Sequence, residues 1–249
     1  MSTMFKTKLE VLGLMLVVVL LTAACGGQNG PSVRGSGNLI TESRAVGKFD
    51  RVDISPTGEL IIIQSSRESL TIEADDNIMP FITSEVRGRT LYLDLEHGQV
   101  KTLSPTRIRY TLNVASLDTV SASGAPEISA ESLNAERLDI AIGGAGKFSV
   151  NKLIANELIV ELRGAAEMHL AGEVIRQVVD IEGSSKYLAR DLRSETLNLT
   201  VGSVARATVW VTENLTTHVT GLANVSYYGN PQTNLSVSSG GEIKNLGGR

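Results

Sequence analysis

From Val120 onward, apolar and polar residues alternate in short runs, broken at nearly constant spacing by small residues. The stretch "AIGGAGKFSV" (141–150) recurs in altered form as "VSASGAPEIS", "ELRGAAEMHL", "DIEGSSKYLA", "TVGSVARATV", "HVTGLANVSY" and "SVSSGGEIKN". With Gly124, Gly144, Gly164, Gly183, Ser203, Gly221 and Ser239 as reference positions, the intervals are 20, 20, 19, 20, 18 and 18 residues. Two residues before each reference stand Ala122, Ile142, Leu162, Ile181, Val201, Val219 and Val237. Four residues after stand Ile128, Phe148, Met168, Tyr187, Ala207, Val225 and Ile243. Alternation on both flanks has a period of two, so both flanks are strands with one buried face. Self-similarity at such a period marks a repeat architecture.

The columns predict an all-β chain, a right-handed β-helix (solenoid) with turns of about 18–20 residues. Burying one aliphatic side chain contributes roughly 1.5–3 kcal/mol. A single turn therefore cannot hold itself, whereas several stacked turns can. Two residues after the reference the column is almost uniformly small, from Pro126 and Gly146 to Ala223 and Gly241, which with the reference glycines Gly124, Gly144, Gly164, Gly183 and Gly221 predicts a tight corner in each repeat. Three residues after it stand Glu127, Lys147, Glu167, Lys186 and Arg206, an outward ladder whose first four charges alternate in sign. Stacked strands lie about 4.8 Å apart, so each of these charges is expected above an opposite one. Earlier in the chain "RVDISPTGELIII" fits the columns once, with Pro56 at the reference. "SLTIEAD", "FITSEVR", "TLYLDLE" and "RIRYTLNV" alternate as strands, "VRGRTLYL" reads as a hairpin and "DDNIMP" as one helical turn. These strands are expected to build wider first turns that cap one end.

The N-terminus changes the picture of where the solenoid works. Lys6 and Lys8 precede an uninterrupted apolar run from Val11 to Leu21, and "LTAAC" ends at Cys25, the only cysteine. A positive start, a short apolar centre and small residues at the cut form a secretory signal, too short to span a bilayer. "LTAAC" resembles the lipobox of bacterial lipoproteins, with Thr22 where leucine is usual, and that resemblance implies acylation (palmitate among the acyl groups) at Cys25. The expected organisation is a signal peptide over 1–24, a Gly/Ser-rich flexible tether over 25–36 and one β-helical domain over 37–249. Removing 1–24 takes away Lys6, Lys8 and Glu10, so the formal charge passes from −4 to −5. That balance argues against nucleic acid as a partner. Gly26 after the cysteine, rather than aspartate, points to the outer membrane where the cell has one.

The sequence resembles the family named putative auto-transporter adhesin, head GIN domain. The matching stretches are "GNLITESRAVGKFDRVDIS" (37–55), "SLTIEADDNIMPFITSEVRGRTLYL" (69–93), the glycine repeats from 120 onward and "VSYYGNP" (225–231). The resemblance implies an all-β, β-helical fold at the cell surface or in the periplasm and supplies no established activity. Family repeats usually read Gly-Ser-Gly-Asp, whereas Lys147, Lys186 and Arg206 occupy the acidic position here.

A phosphate loop needs G-x-x-x-x-G-K-[ST]. Around Gly146-Lys147 the first glycine is Ala141 and the hydroxyl is Phe148, so the motif fails. The histidines His97, His169 and His218 form no metal-ligand or triad spacing. Asp75 and Asp76 with Arg107 and Arg109 are the acid–base candidates, and Trp210 and Tyr228 are the outward aromatics that could stack on sugars. The sequence thus points to a non-enzymatic, lipid-anchored envelope protein without cofactor or metal, facing away from the cytoplasm. It would be held to the membrane through Cys25 and present a β-helical face to a protein or glycan. The alternative is a carbohydrate-active enzyme on the same scaffold. A homo-oligomer through the solenoid end near "GGEIKNL" is a further expectation, because open strand ends pair readily.

Overall fold

A computed structural model describes residues 31–55, 57–96, 98 and 100–249. The predicted signal peptide, Cys25, Pro56 and His97 lie outside the described residues. Strands β1 (Ser32–Arg34) and β2 (Leu39–Arg44) lead into β3 (Arg51–Ile54), a corner, and β4 (Glu59–Gln64). There follow β5 (Ser69–Asp75), one 3-10 turn at Met79–Phe81, β6 (Ile82–Arg87), β7 (Thr90–Leu95), β8 (Thr102–Ser104), β9 (Ile108–Val114) and β10 (Thr119–Ala122). Five long strands then trace most of a coil each: β11 (Glu127–Ile142), β12 (Lys147–Leu162), β13 (Glu167–Ile181), β14 (Lys186–Val201) and β15 (Arg206–Val219). The last coil is divided among β16 (Asn224–Tyr228), β17 (Gln232–Val237) and β18 (Glu242–Asn245). Successive coils pair in parallel, so the molecule is the β-solenoid that the period predicts.

Each coil has three faces. Along β11 the partners on β12 run over Glu127–Ala130, Ser132–Ala135 and Arg137–Ile142 and skip Glu131 and Glu136. At both skips two adjacent residues point outward, which resets the inward parity. The third bend is the repeat corner. All seven reference residues have positive φ there, including Ser203 (60°) and Ser239 (73°). The peptide N–H after each reference residue donates to the preceding coil's reference carbonyl: Ala145 to Gly124 at 2.8 Å, Ala165 to Gly144 at 2.7 Å, Ser184 to Gly164 at 2.7 Å. The column two residues later has another reason to be small. Ala166, Ser185, Ala205 and Ala223 are buried, and a Cβ on Gly146 would stand 3.2 Å from the Ile142 side chain. The left-handed turn therefore sits at the reference residue, and the small residue two positions later completes the corner.

The inward columns stack into one aliphatic core from Val52 to Tyr227. Its one polar pair is Gln177, which replaces leucine between Leu158 and Leu197 and accepts from the Tyr187 hydroxyl at 2.5 Å. Desolvation raises the Tyr187 phenol above its ordinary range, so the hydroxyl stays a donor.

The cap departs from chain order. β3 lies between β7 and β10, and β4 lies between β9 and β11, so the first corner of the chain is inserted beneath coils that form later in sequence. Beyond them β6 pairs antiparallel with β7, β5 antiparallel with β9, and β2 antiparallel with β5. The β6–β7 hairpin closes through Gly88-Arg89, with positive φ at Gly88 alone. Arg44 ties the two outer edges together by donating to the Ile82 carbonyl at 2.6 Å. Residues 32–34, assigned to the tether from composition, instead form β1 on β8, because Val33 packs on the core and Gly35 N–H reaches Ser104 at 2.9 Å.

Gly144→Ala would force an L-residue to φ 91° and place Cβ 2.3 Å from the Gly124 carbonyl oxygen. It is expected to destabilise by more than about 2 kcal/mol. Ser203→Gly removes strain at the cost of one exposed hydrogen bond to Glu182 and should stay within about 1 kcal/mol of the parent. Urea midpoints compare the two. Gln177→Leu and Tyr187→Phe should each cost about 1–3 kcal/mol, with the double variant recovering most of the loss.

Candidate binding surface

Outward residues of equivalent position form vertical columns because the inside fixes the register. Glu127, Lys147, Glu167, Lys186 and Arg206 are successive partners on the first face. Within these five, Lys186 and Glu167 close an ion pair at 2.9 Å, while Lys147 reaches neither Glu127 nor Glu167. Below Glu127 the column continues through Glu59 to Arg109, which pair at 2.7 Å. Glu167 also meets His169 at 2.8 Å. The His169 contact first, then Lys186, holds its carboxyl at about 2.

A second ladder escaped the sequence reading. Arg137, Glu157 and Arg176 stand seven residues before their reference glycines and are direct register partners. Arg137 meets Glu157 at 2.8 Å and its own-strand Asp139 at 3.0 Å, and Arg176 approaches Glu157 at 3.7 Å. The alternation in sign was present in the same aligned columns. It lies on the far side of the coil from the glycine motif.

The 19-residue interval produces a notch. Where β12 turns from its first face to its second through Asn151-Lys152, and β14 through Arg190-Asp191, β13 has Ala171 alone. The shortened coil draws its backbone against the coil below: Gly172 has φ 129°, and a Cβ there would lie 2.0 Å from the Leu153 carbonyl oxygen. A recess of about 470 Å³ opens over Ala171, lined by Asn151, His169, Arg190, Asp191 and Thr208 together with apolar neighbours. Trp210 follows Thr208 on the same outward side and is the register partner of Tyr228. The Arg249 guanidinium lies 5.2 Å from the Trp210 ring centre and 5.6 Å from that of Tyr228, and it also bonds Asp191. Polar notch and aromatic pair thus form one continuous row on one edge of the solenoid.

The acid–base candidates are separated. Asp75 is buried and accepts the backbone N–H groups of Gly37 at 2.8 Å and Thr106 at 2.7 Å. Burial would raise its carboxyl, but these hydrogen bonds outweigh it and the pKa is lowered. Asp76 accepts from Ser36 at 2.6 Å and Asn38 at 2.8 Å. Arg107 and Arg109 turn to the other carboxylates, Glu59 and Glu73. Asp75 and Asp76 therefore fasten the chain entering β2 onto the cap. His169 and His218 are both exposed, and no group of three His, Cys, Asp or Glu among the described residues could hold a metal ion.

The parallel three-faced coils with a capped start define a β-solenoid of a known kind. The family model of the putative auto-transporter adhesin, head GIN domain matches residues 48–231, and the chain belongs to that family. Among solved structures, a putative adhesin from Bacteroides fragilis NCTC 9343 is 26% identical, with a TM-score of 0.82 over 86% of this chain and 100% of that one. A putative lipid binding protein from Parabacteroides distasonis ATCC 8503 is 18% identical, with a TM-score of 0.74 over 86% and 99%. A putative adhesin from Parabacteroides merdae ATCC 43184 is 20% identical, with a TM-score of 0.65 over 87% and 100%. The last two share the fold. A comparison with curated proteins finds no match.

Glu167 offers a titration test of the first ladder. Its folded pKa of about 2 lies below the ordinary 4.5, so its contribution to stability is complete above pH 4.5 and is lost as pH falls through about 2. Carboxyl NMR should place its midpoint there, rising most in His169→Ala and less in Lys186→Ala.

Proposed function

We propose that this protein is a non-enzymatic binding module of the cell envelope, anchored by lipid on Cys25, whose solenoid edge engages a glycan or a protein. The observation that carries the reading is the row formed by the notch over Ala171 and the Trp210–Tyr228 pair. Stacked coils repeat at about 4.8 Å, so such a row offers regularly spaced polar contacts to an extended ligand. The aromatic faces supply apolar area with a polar rim, an arrangement suited to sugar rings and to cationic side chains. Family membership and the adhesin neighbour from Bacteroides fragilis support surface attachment. The carboxylates nearest to an acid–base arrangement are engaged by backbone and side-chain donors, which favours binding over catalysis.

A glycan array and an envelope-protein overlay test the binding face. Trp210→Ala and Asp191→Ala should each weaken whatever the parent binds by about ten-fold or more while leaving the melting temperature within a few degrees. Unchanged binding in both variants would remove the notch and aromatic row from the proposal. Cys25→Ala should move the protein from the membrane fraction to the soluble extract, and retention on the membrane would refute the anchor.

A further inference from the structure

The two ends of the solenoid are finished differently. At the start, the outermost strands β2 and β6 run antiparallel to their neighbours and carry charge pairs, Glu42 with Arg44 and Glu85 with Arg87. Charged edges of this kind discourage strand addition. At the far end β17 pairs only with β15 and β18 only with β16, leaving one hydrogen-bonding edge of each open. Leu235 and Val237 occupy core columns, yet they are 41% and 46% exposed, with no coil over them among the described residues. Leu246, 37% exposed, adds to this end.

We propose that this end is a self-recognition surface, closed by the same end of a second copy about a two-fold axis through Ile243. The occupant must supply a β-edge and apolar columns of the same spacing, and a second copy has both. The charges select the arrangement. On β18 the outward residues flanking Ile243 are Glu242 and Lys244, both exposed, and neither makes an ion pair among the described residues. An antiparallel pairing of two β18 strands centred on Ile243 sets Glu242 of each copy opposite Lys244 of the other. Two cross-strand ion pairs form on the outer side, and Ile243 meets Ile243 on the inner side. An isologous contact of this kind uses up the β18 edge of each copy and stops at two. A head-to-tail stack would instead press β17 and β18 onto the charged β2 and β6 edges. The pairing leaves the two capped ends, where residue 31 lies, pointing apart. If Cys25 anchors the chain, partners of one pair approach from facing surfaces, and this last consequence alone rests on the function proposed above.

Sedimentation equilibrium of the full chain in detergent tests the pairing directly. The parent should show a monomer–dimer equilibrium with no larger species. Glu242→Lys and Lys244→Glu should each weaken it by about ten-fold or more, because both cross-strand pairs become like-charged. The double exchange, Glu242→Lys with Lys244→Glu, should restore the parent affinity. All three should melt with the parent, since neither side chain contributes to the core. A parent that remains monomeric at the highest concentration, a series of longer polymers, or a dimer indifferent to the single reversals would overturn the proposal. Failure of the double exchange to recover affinity would do the same.

Discussion

The corner hydrogen bond between successive coils is the constraint on which the rest of the molecule depends. A reference residue with positive φ turns its carbonyl along the solenoid axis, where it accepts from the N–H that follows the next reference residue. Repeated from Gly124 to Gly240, this contact sets one coil directly above another with no freedom to slip. Its closeness explains the glycine: a Cβ on Gly144, Gly164 or Gly183 would lie 2.3–2.6 Å from the reference oxygen below. Ser203 follows an approach that is less tight, with Val204 N–H to Gly183 at 3.1 Å against 2.7–2.8 Å at earlier corners. The corner thus does by backbone geometry what a larger core would do by area, and the core can remain almost wholly aliphatic.

With register set on the inside, the outside becomes a column-addressed surface. The strand segments keep their partners while coil length changes by a residue at the bends. Losing one residue beside Ala171 leaves the inward columns on either side in place and converts the outer edge into a recess. The buried Gln177–Tyr187 pair works on the inner side of the same coils. It gives two neighbouring core columns a contact that no other coil can reproduce, so this part of the stack is chemically distinct among similar rungs.

Much of this was legible because the information is periodic. The inward columns from Val120 to Val225 and the coil lengths are visible in aligned repeats, and so was the alternating column of Arg137, Glu157 and Arg176 once the far side of the coil is considered. What could not be read lacks the period. Asp75 is held by backbone groups 38 and 31 residues away, which no side-chain spacing announces. The Arg249 contact with Trp210 and Tyr228 joins a segment outside the repeats to two members of one column. The position of β3 between β7 and β10 is likewise invisible, since "RVDIS" matches the columns whether it begins the stack or lies within it.

That insertion governs how the chain can reach its native state. β3 and β4 emerge early, but neither has both neighbours until 68 residues later, when the chain returns through β10 for β3 and the start of β11 for β4. Closing so long a loop costs entropy before any contact compensates, so residues 39–130 must assemble together as the slow, cooperative step. Each later coil then has a finished template beneath it and adds by local zippering in the manner of linear repeat arrays. Shortening the chain from the β18 side should therefore remove rungs one at a time, whereas a defect in the cap deprives every rung of its nucleus.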